Sequence, residues 1–291
     1  REPLEESFVI NHIQVHNMQR SSDGTIKNAV RLHDGLIVES VLIPSANRTT
    51  ACVSSQVGCS LDCKFCATSR LKRMRNLNSD EIYDQVMAIN KQSRLYYNKK
   101  LTNIVFMGMG EPLMNYNNVL EAIKKITSDE GLGISPKRIV VSTSGIPKMI
   151  KKMAENNVKF NLAVSLHSAI DEVRSQIMPF NETFPLKDLR EALQFWYNKT
   201  KRKITYEYIV WEGINDKTKD ILALIDFCKF APSKVNLIEY NPIEDGAFQQ
   251  GKPQVIAQYV SMLEAKKITV TVRRSRGKDI DAACGQLANK S

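Results

Sequence analysis

Apolar residues recur along this chain with two periods. Short runs of strand character come first, at 25–32 and 36–43, separated by His33-Asp34-Gly35, which predicts a β-hairpin; Ser21-Ser22-Asp23-Gly24 makes a turn before them. From Thr49 onward the period alternates. Runs that suit buried strands lie at 103–107, 138–141, 158–164, 204–210, 235–240 and 268–272. Between them apolar positions return at helical spacing over 80–90, 119–128, 148–155, 186–198, 217–230 and 253–266. Such alternation predicts βα units around a parallel sheet. Counting the strand that enters the loop after Thr49, about six units precede the final run, fewer than the eight of a closed barrel. The expected fold is therefore α/β, a partial (β/α)6 barrel over 49–291 with a C-terminal loop, preceded by an N-terminal β-hairpin extension over 1–48.

One loop interrupts the pattern. Cys59, Cys63 and Cys66 stand at C-x3-C-x2-C spacing just after Gly58, and Cys52 lies seven residues upstream. Backbone folded around a metal centre would turn the crowded thiols inward. Structural zinc takes four ligands, commonly in paired knuckles, so three cysteines without a second pair fit it poorly. An iron–sulfur cluster held by three cysteines keeps one iron open, which suits the count. Disulfide frameworks belong to short, cysteine-dense secreted chains, whereas this chain has 6 Cys in 291 residues.

Polar residues gather where the strand runs end. Gly108-Met109-Gly110-Glu111-Pro112, Ser142-Thr143-Ser144-Gly145, Ser165-Leu166-His167 and Asn241-Pro242 all fall on the rim where barrels of this kind place their sites. Gly108 and Gly110 would let backbone approach a ligand, and Glu111 could accept from an ammonium group. The hydroxyls of Ser142 and Ser165 and the amide of Asn241 could pair with ribose, carboxylate or adenine edges. On pattern alone His167 reads as a structural histidine, Glu39 as a strand carboxylate facing water, and Cys228 as core. Cys284, flanked by small residues and following a basic run, reads as an accessible thiol whose pKa nearby cations would lower.

Composition adds a partner and a compartment. Lys+Arg number 41 against 31 Asp+Glu, a formal charge of +10, and two basic groups flank the chemistry: Arg70, Lys72, Arg73 and Arg75 after the cysteines, and Arg273, Arg274, Arg276 and Lys278 before Cys284. Phosphates of a nucleic acid are the expected partner. No run approaches the roughly 18 apolar residues of a membrane span. The opening Arg-Glu-Pro-Leu-Glu-Glu resembles neither a signal nor a transit peptide. A cytoplasmic monomer with reduced thiols is expected, without a membrane partner.

The cysteine spacing, with Phe65 before Cys66, resembles the signature of the radical S-adenosylmethionine (SAM) superfamily. Further segments resemble one family within it, the RNA adenine-C2 methyltransferases: Val38-Glu39-Ser40-Val41 with Ile43-Pro44, Cys52 to Cys59, Met107 to Pro112, Ser142 to Gly145, Ser165 to His167, Asn236 to Ile238 with Asn241-Pro242, and Arg276-Gly277 with Asp279 to Leu287. The resemblance implies a barrel of the radical SAM type, a 4Fe-4S cluster on Cys59, Cys63 and Cys66, and SAM held by Gly110, Glu111, Ser142, Ser165, Leu166, His167 and Asn241. It also implies an adenine of 23S rRNA or tRNA as substrate, and an electron donor for the cluster. Cys284 would take a methyl group from one SAM, and a deoxyadenosyl radical from a second would remove hydrogen from that methyl. The carbon radical would add to C2, Glu39 would remove the C2 proton, and Cys52 would attack Cys284 to release the product, leaving a disulfide. That pairing requires the two Cα atoms to approach within about 7 Å. Three other readings stand beside it: a radical SAM enzyme of different chemistry, for which Cys52 and Cys284 would be dispensable; a related C8-adenine rRNA methyltransferase of the antibiotic-resistance type, which Pro112 and Arg276 disfavour; and a non-catalytic metal-bearing RNA-binding protein.

Overall fold

The computed structural model describes residues 12–244 and 246–289. Its main sheet has ten strands. β1 (Gln14–Arg20), β2 (Ile26–Arg31) and β3 (Ile37–Pro44) form an antiparallel ribbon, and β3 pairs antiparallel with β4 (Thr49–Cys52), so that Val41 sits opposite Cys52. A two-stranded ribbon, β5 (Gln56–Val57) with β6 (Arg75–Asn76), closes the base of the cysteine loop. The main sheet then continues from β4 in parallel through β7 (Asn103–Phe106), β8 (Ile139–Thr143), β9 (Asn161–Ser165), β10 (Ile204–Ile209), β11 (Ser233–Ile238) and β12 (Thr269–Arg273). Six parallel strands precede β12, as the alternation of the sequence predicts.

The helices that join these strands are α1 (Ser79–Tyr97), α2 (Tyr116–Thr127), α3 (Pro147–Glu155), α4 (Asp171–Ile177), α5 (Leu186–Thr200), α6 (Thr218–Cys228) and α7 (Pro253–Ala265). Each turns its apolar stripe inward: Ile82, Val86 and Ile89 of α1, Val119, Ile123 and Ile126 of α2, and Leu189, Leu193 and Trp196 of α5 are all buried in one core with Ile104, Val141, Leu162 and Val235 of the strands. Two elements have no sequence signal. Five of the first six residues of β1 are exposed, with no alternation, and the strand forms by backbone pairing to β2. Helix α4 has only seven residues, too few to show a period.

A charged network binds the tip of the β2–β3 hairpin to the end of the cysteine loop. Arg75 donates to Asp34 Oδ2 at 2.6 Å and to both oxygens of the buried Glu81 at 2.7 and 2.8 Å, while Glu81 Oε2 also accepts Asn78 N as the capping box of α1. Burial pushes the Glu81 carboxyl up, but the bonds from Arg75 and Asn78 outweigh it and hold the pKa below 4.5; the Arg75 bond likewise holds Asp34 below 3.8. Groups with folded pKa values below their unfolded ones add stability above the unfolded value and lose it as pH falls through the folded one. Unfolding free energy should therefore decline on acidification from about pH 4.5 downward. In Glu81→Gln that limb of a pH series of denaturant melts should be visibly flatter.

Candidate active site

The cysteine loop is shaped by close backbone approaches. At Gly58 φ is +73°, and a Cβ there would lie 2.3 Å from the carbonyl oxygen of Lys72, so any side chain would push the returning strand away. Met74 N donates to Val57 O at 2.9 Å and Cys66 N to Cys63 O at 3.1 Å, which coils the chain between them. Buried polar side chains fix the loop to the barrel. Ser54 Oγ accepts Met109 N at 2.8 Å and donates to Glu39 O at 2.5 Å, Gln56 Oε1 accepts Glu111 N at 2.8 Å, and Asn115 Nδ2 donates to Ser55 O and Leu77 O.

Cys59, Cys63 and Cys66 all line one cavity of about 240 Å³ at the carboxyl ends of the strands. Burial raises each thiol, Cys59 to about 11, because an apolar setting disfavours the thiolate. Among the described residues no three His, Cys, Asp or Glu side chains converge closely enough to hold a single metal ion. The three thiols share that cavity and Cys59 and Cys66 act electrostatically on Cys63, an all-sulfur donor set that fits an iron–sulfur cluster. The rim also carries an unmet polar atom, since Asn241 Oδ1 is buried without a partner beside the same cavity.

The candidate catalytic and cofactor-binding residues singled out by the sequence come together there, with two exceptions. Gly110, Glu111, Ser142, Ser165, His167, Asn241, Cys52 and Cys284 line the cavity. Leu166 does not: its side chain is in the core, its N–H donates to Glu207 O, and its carbonyl accepts from Arg174. Glu39 does not line it either, being 1 % exposed on β3; the expectation from alternation that it faces water is overturned, because both faces of β3 are covered. Glu111 accepts Leu113 N at 3.0 Å and Ser144 N at 2.8 Å, while burial pushes its carboxyl up. Burial lowers His167 to about 3, so the imidazole is neutral; Nδ1 accepts Ile209 N at 3.2 Å, leaving the proton on Nε2.

Cys284 stands in the loop after β12, its side chain open to the cavity and its carbonyl accepting Asn241 Nδ2 at 3.1 Å. The expected lowering of its pKa is not found. Desolvation by the surrounding protein raises it, and Arg273 only partly offsets this. Cys52, at the end of β4, is buried, and its thiol is pushed up by burial and by the neighbouring Cys284 sulfur. Both belong to the six free cysteines of the chain. Glu207 of β10 also lines the cavity, accepting Asn236 Nδ2 at 2.8 Å with Arg273 3.8 Å away; its lone place inside a β run gave no signal.

The sequence also gave no sign of Arg174. Fully buried on α4, it donates to Leu166 O at 3.1 Å, Ser144 O at 2.6 Å, Ser165 O at 3.3 Å and Asn181 Oδ1 at 2.6 Å, and so ties together the ends of β8 and β9. Burial lowers its pKa to about 10, which leaves it charged at neutral pH. Arg174→Met would leave these buried acceptors unpaired, at about 1–3 kcal/mol each where water cannot enter. We expect a loss of about 3 kcal/mol or more by denaturant unfolding.

The chain matches the family described as the radical SAM superfamily over residues 53–225. It is 72% identical over 290 residues to a Flavobacterium johnsoniae protein named "Probable dual-specificity RNA methyltransferase RlmN", covering 100% of this chain and 83% of that protein. A Geotalea uraniireducens protein named "Dual-specificity RNA methyltransferase RlmN" is 44% identical over 291 residues, covering 100% of this chain and 82% of its own. Among solved structures, a radical SAM methyltransferase from Sphaerobacter thermophilus superposes with a TM-score of 0.94 at 37% identity, over 98% of this chain and 84% of that one.

Proposed function

Because the chain belongs to the radical SAM superfamily and, within it, to the dual-specificity RNA methyltransferase family, we propose that it methylates C2 of an adenine in 23S rRNA and in tRNA. The observation that carries this reading is the meeting of Cys52 and Cys284, from opposite ends of the sequence, at the cavity that Cys59, Cys63 and Cys66 line. Pro112 and Arg276 support C2 rather than C8.

Cys59, Cys63 and Cys66 would hold the 4Fe-4S cluster, while Glu111 offers its carboxylate to an ammonium group, His167 offers Nε2–H, and Gly110, Ser142, Ser165 and Asn241 complete the rim for SAM. When bound, the cluster and SAM supply a methyl cation equivalent and a carbon-centred oxidant. Cys284 sulfur gives up its proton and takes the methyl; that methyl later loses one hydrogen atom to the carbon-centred oxidant, and its carbon, still on the sulfur, joins C2 of the adenine, the adduct returning one electron to the centre that supplied it. Glu39 accepts the C2 proton. Cys52 sulfur then bonds to Cys284 sulfur as the sulfur–carbon bond breaks; the electron pair stays with carbon, which takes up a proton. A thiol reductant reopens the disulfide for the next turnover, as a reducing cytoplasm provides. Arg273, Arg274 and Arg276 line the cavity mouth and are exposed, a setting for RNA phosphates. A separate donor supplies the electron, and the protein works as a monomer.

The test uses anaerobically reconstituted protein and SAM labelled in its methyl group. Without RNA, label is expected on the peptide containing Cys284; when rRNA or tRNA fragments are added, it should pass to 2-methyladenosine, read by mass spectrometry of digested RNA. Label reaching RNA with none traceable through Cys284 overturns the relay.

A further inference from the structure

The loop bearing Cys284 is fastened at both shoulders by a single element, the N-terminal ribbon. On the first shoulder, Ser21 Oγ donates to Asp279 Oδ1 at 2.5 Å and Ser22 N to Asp279 Oδ2 at 3.0 Å. Gly277 N donates to Asp23 Oδ2 at 3.0 Å, and Arg276 lies 3.7 Å from the same oxygen. The surfaces touch: Gly277 sits at φ +66°, and a Cβ there would come within 2.9 Å of Thr25 Cγ2. On the second shoulder Glu39 Oε2 accepts Ala288 N at 2.8 Å and Asn289 N at 3.1 Å, and Asn289 Nδ2 donates to Ile37 O at 2.8 Å. Lys27 Nζ, also buried, lies 3.4 Å from the other Glu39 oxygen.

Between the pinned ends the segment keeps its own bend, with Ala282 N donating to Gly277 O at 2.9 Å and left-handed residues at Asp281 and Gly285 on either side of the thiol. Fixing both ends of a short loop confines the sulfur to a small volume, and correct placement of a reacting atom is worth orders of magnitude in rate. Asp23, at about 2, and Asp279 are both held below the ordinary carboxylate value, so each accepts as an anion at neutral pH.

We propose that the N-terminal ribbon is a two-point clasp for the Cys284 loop, with Ser21, Asp23, Asp279 and Glu39 as positioning residues that hold the thiol at the cavity. The proposal rests on the reading of Cys284 as methyl acceptor. It gives Glu39 a task before any RNA arrives, and it orders events: the carboxylate reaches a base only after it releases the amides of 288 and 289.

Two measurements on the full chain test it: the single-turnover rate at which Cys284 acquires labelled methyl from SAM without RNA, and hydrogen exchange of the backbone over 277–289. Asp279→Ala and Ser21→Ala should slow labelling by about tenfold or more at saturating SAM, with the half-saturating SAM concentration unchanged, and should speed exchange over the loop. Asp279→Asn, which still offers an acceptor oxygen, should recover most of the rate. Glu39→Gln should also slow labelling, a step in which no C2 proton is removed. Labelling and exchange within twofold of the unsubstituted protein overturn the clasp, as does slower labelling with loop exchange unchanged. If the unsubstituted protein takes no label at Cys284, the methyl-acceptor reading falls, while the exchange result still decides whether the ribbon holds the loop.

Discussion

Cys52→Ala is expected to stop the enzyme on its own product. Protein and RNA should accumulate as a covalent conjugate up to one equivalent, and free methylated RNA should fall by about a thousandfold or more, since the residue belongs to a unit that acts together. The reasoning is positional. Cys52 ends β4, is 6 % exposed, and has the Cys284 thiol as a neighbour that helps raise its pKa. A buried neutral thiol contributes little to holding SAM or a cluster, so the early steps should proceed. What is lost is the sulfur proposed to displace the Cys284 sulfur from carbon. A denaturing gel with labelled RNA reads the result directly; normal release of methylated RNA would remove Cys52 from the pathway.

The second large effect concerns the cradle. Cys63→Ala should lower bound iron sharply, bleach the absorbance near 400 nm of the reconstituted protein and abolish product, because the proposed chemistry draws on the metal centre that Cys59, Cys63 and Cys66 would hold. Its burial at 8 % exposure makes the substitution a small cavity, about 1 kcal/mol in cost, so the far-ultraviolet circular dichroism should not change. Cys228→Ala supplies the control. That thiol is buried to a similar degree on α6 but packs in the core away from the cavity, and its removal should leave iron and turnover intact. Equal iron in both variants would exclude the cradle from metal binding.

Much of this was readable from residue order, and the failures have physical causes. The alternating units declared themselves through two periods, and the rim residues through their place after each strand. β1 did not, because a strand that buries almost nothing carries no alternation. Glu39 was misplaced for the opposite reason. Residues 38 to 42 of β3 are all buried, and one of the covering segments, 288–289, lies some 250 positions away, where no local pattern can report it. For Cys284 the sign of the net effect was wrong: nearby cations are visible in a sequence, whereas the desolvation that outweighs Arg273 exists only after folding. Arg174 stood in a stretch with no period at all, yet its fork spans two strand ends.

Among the described residues the parallel sheet stops at β12, which pairs with β11 alone and whose last residue, Arg273, borders the cavity. A sealed ring would confine entry to molecules small enough to drop in from above. With an open sheet, the cavity wall beside β12 is built from the segment that follows the strand, so what enters there is governed by side chains such as Arg273, Arg274 and Arg276 rather than by a further backbone ladder.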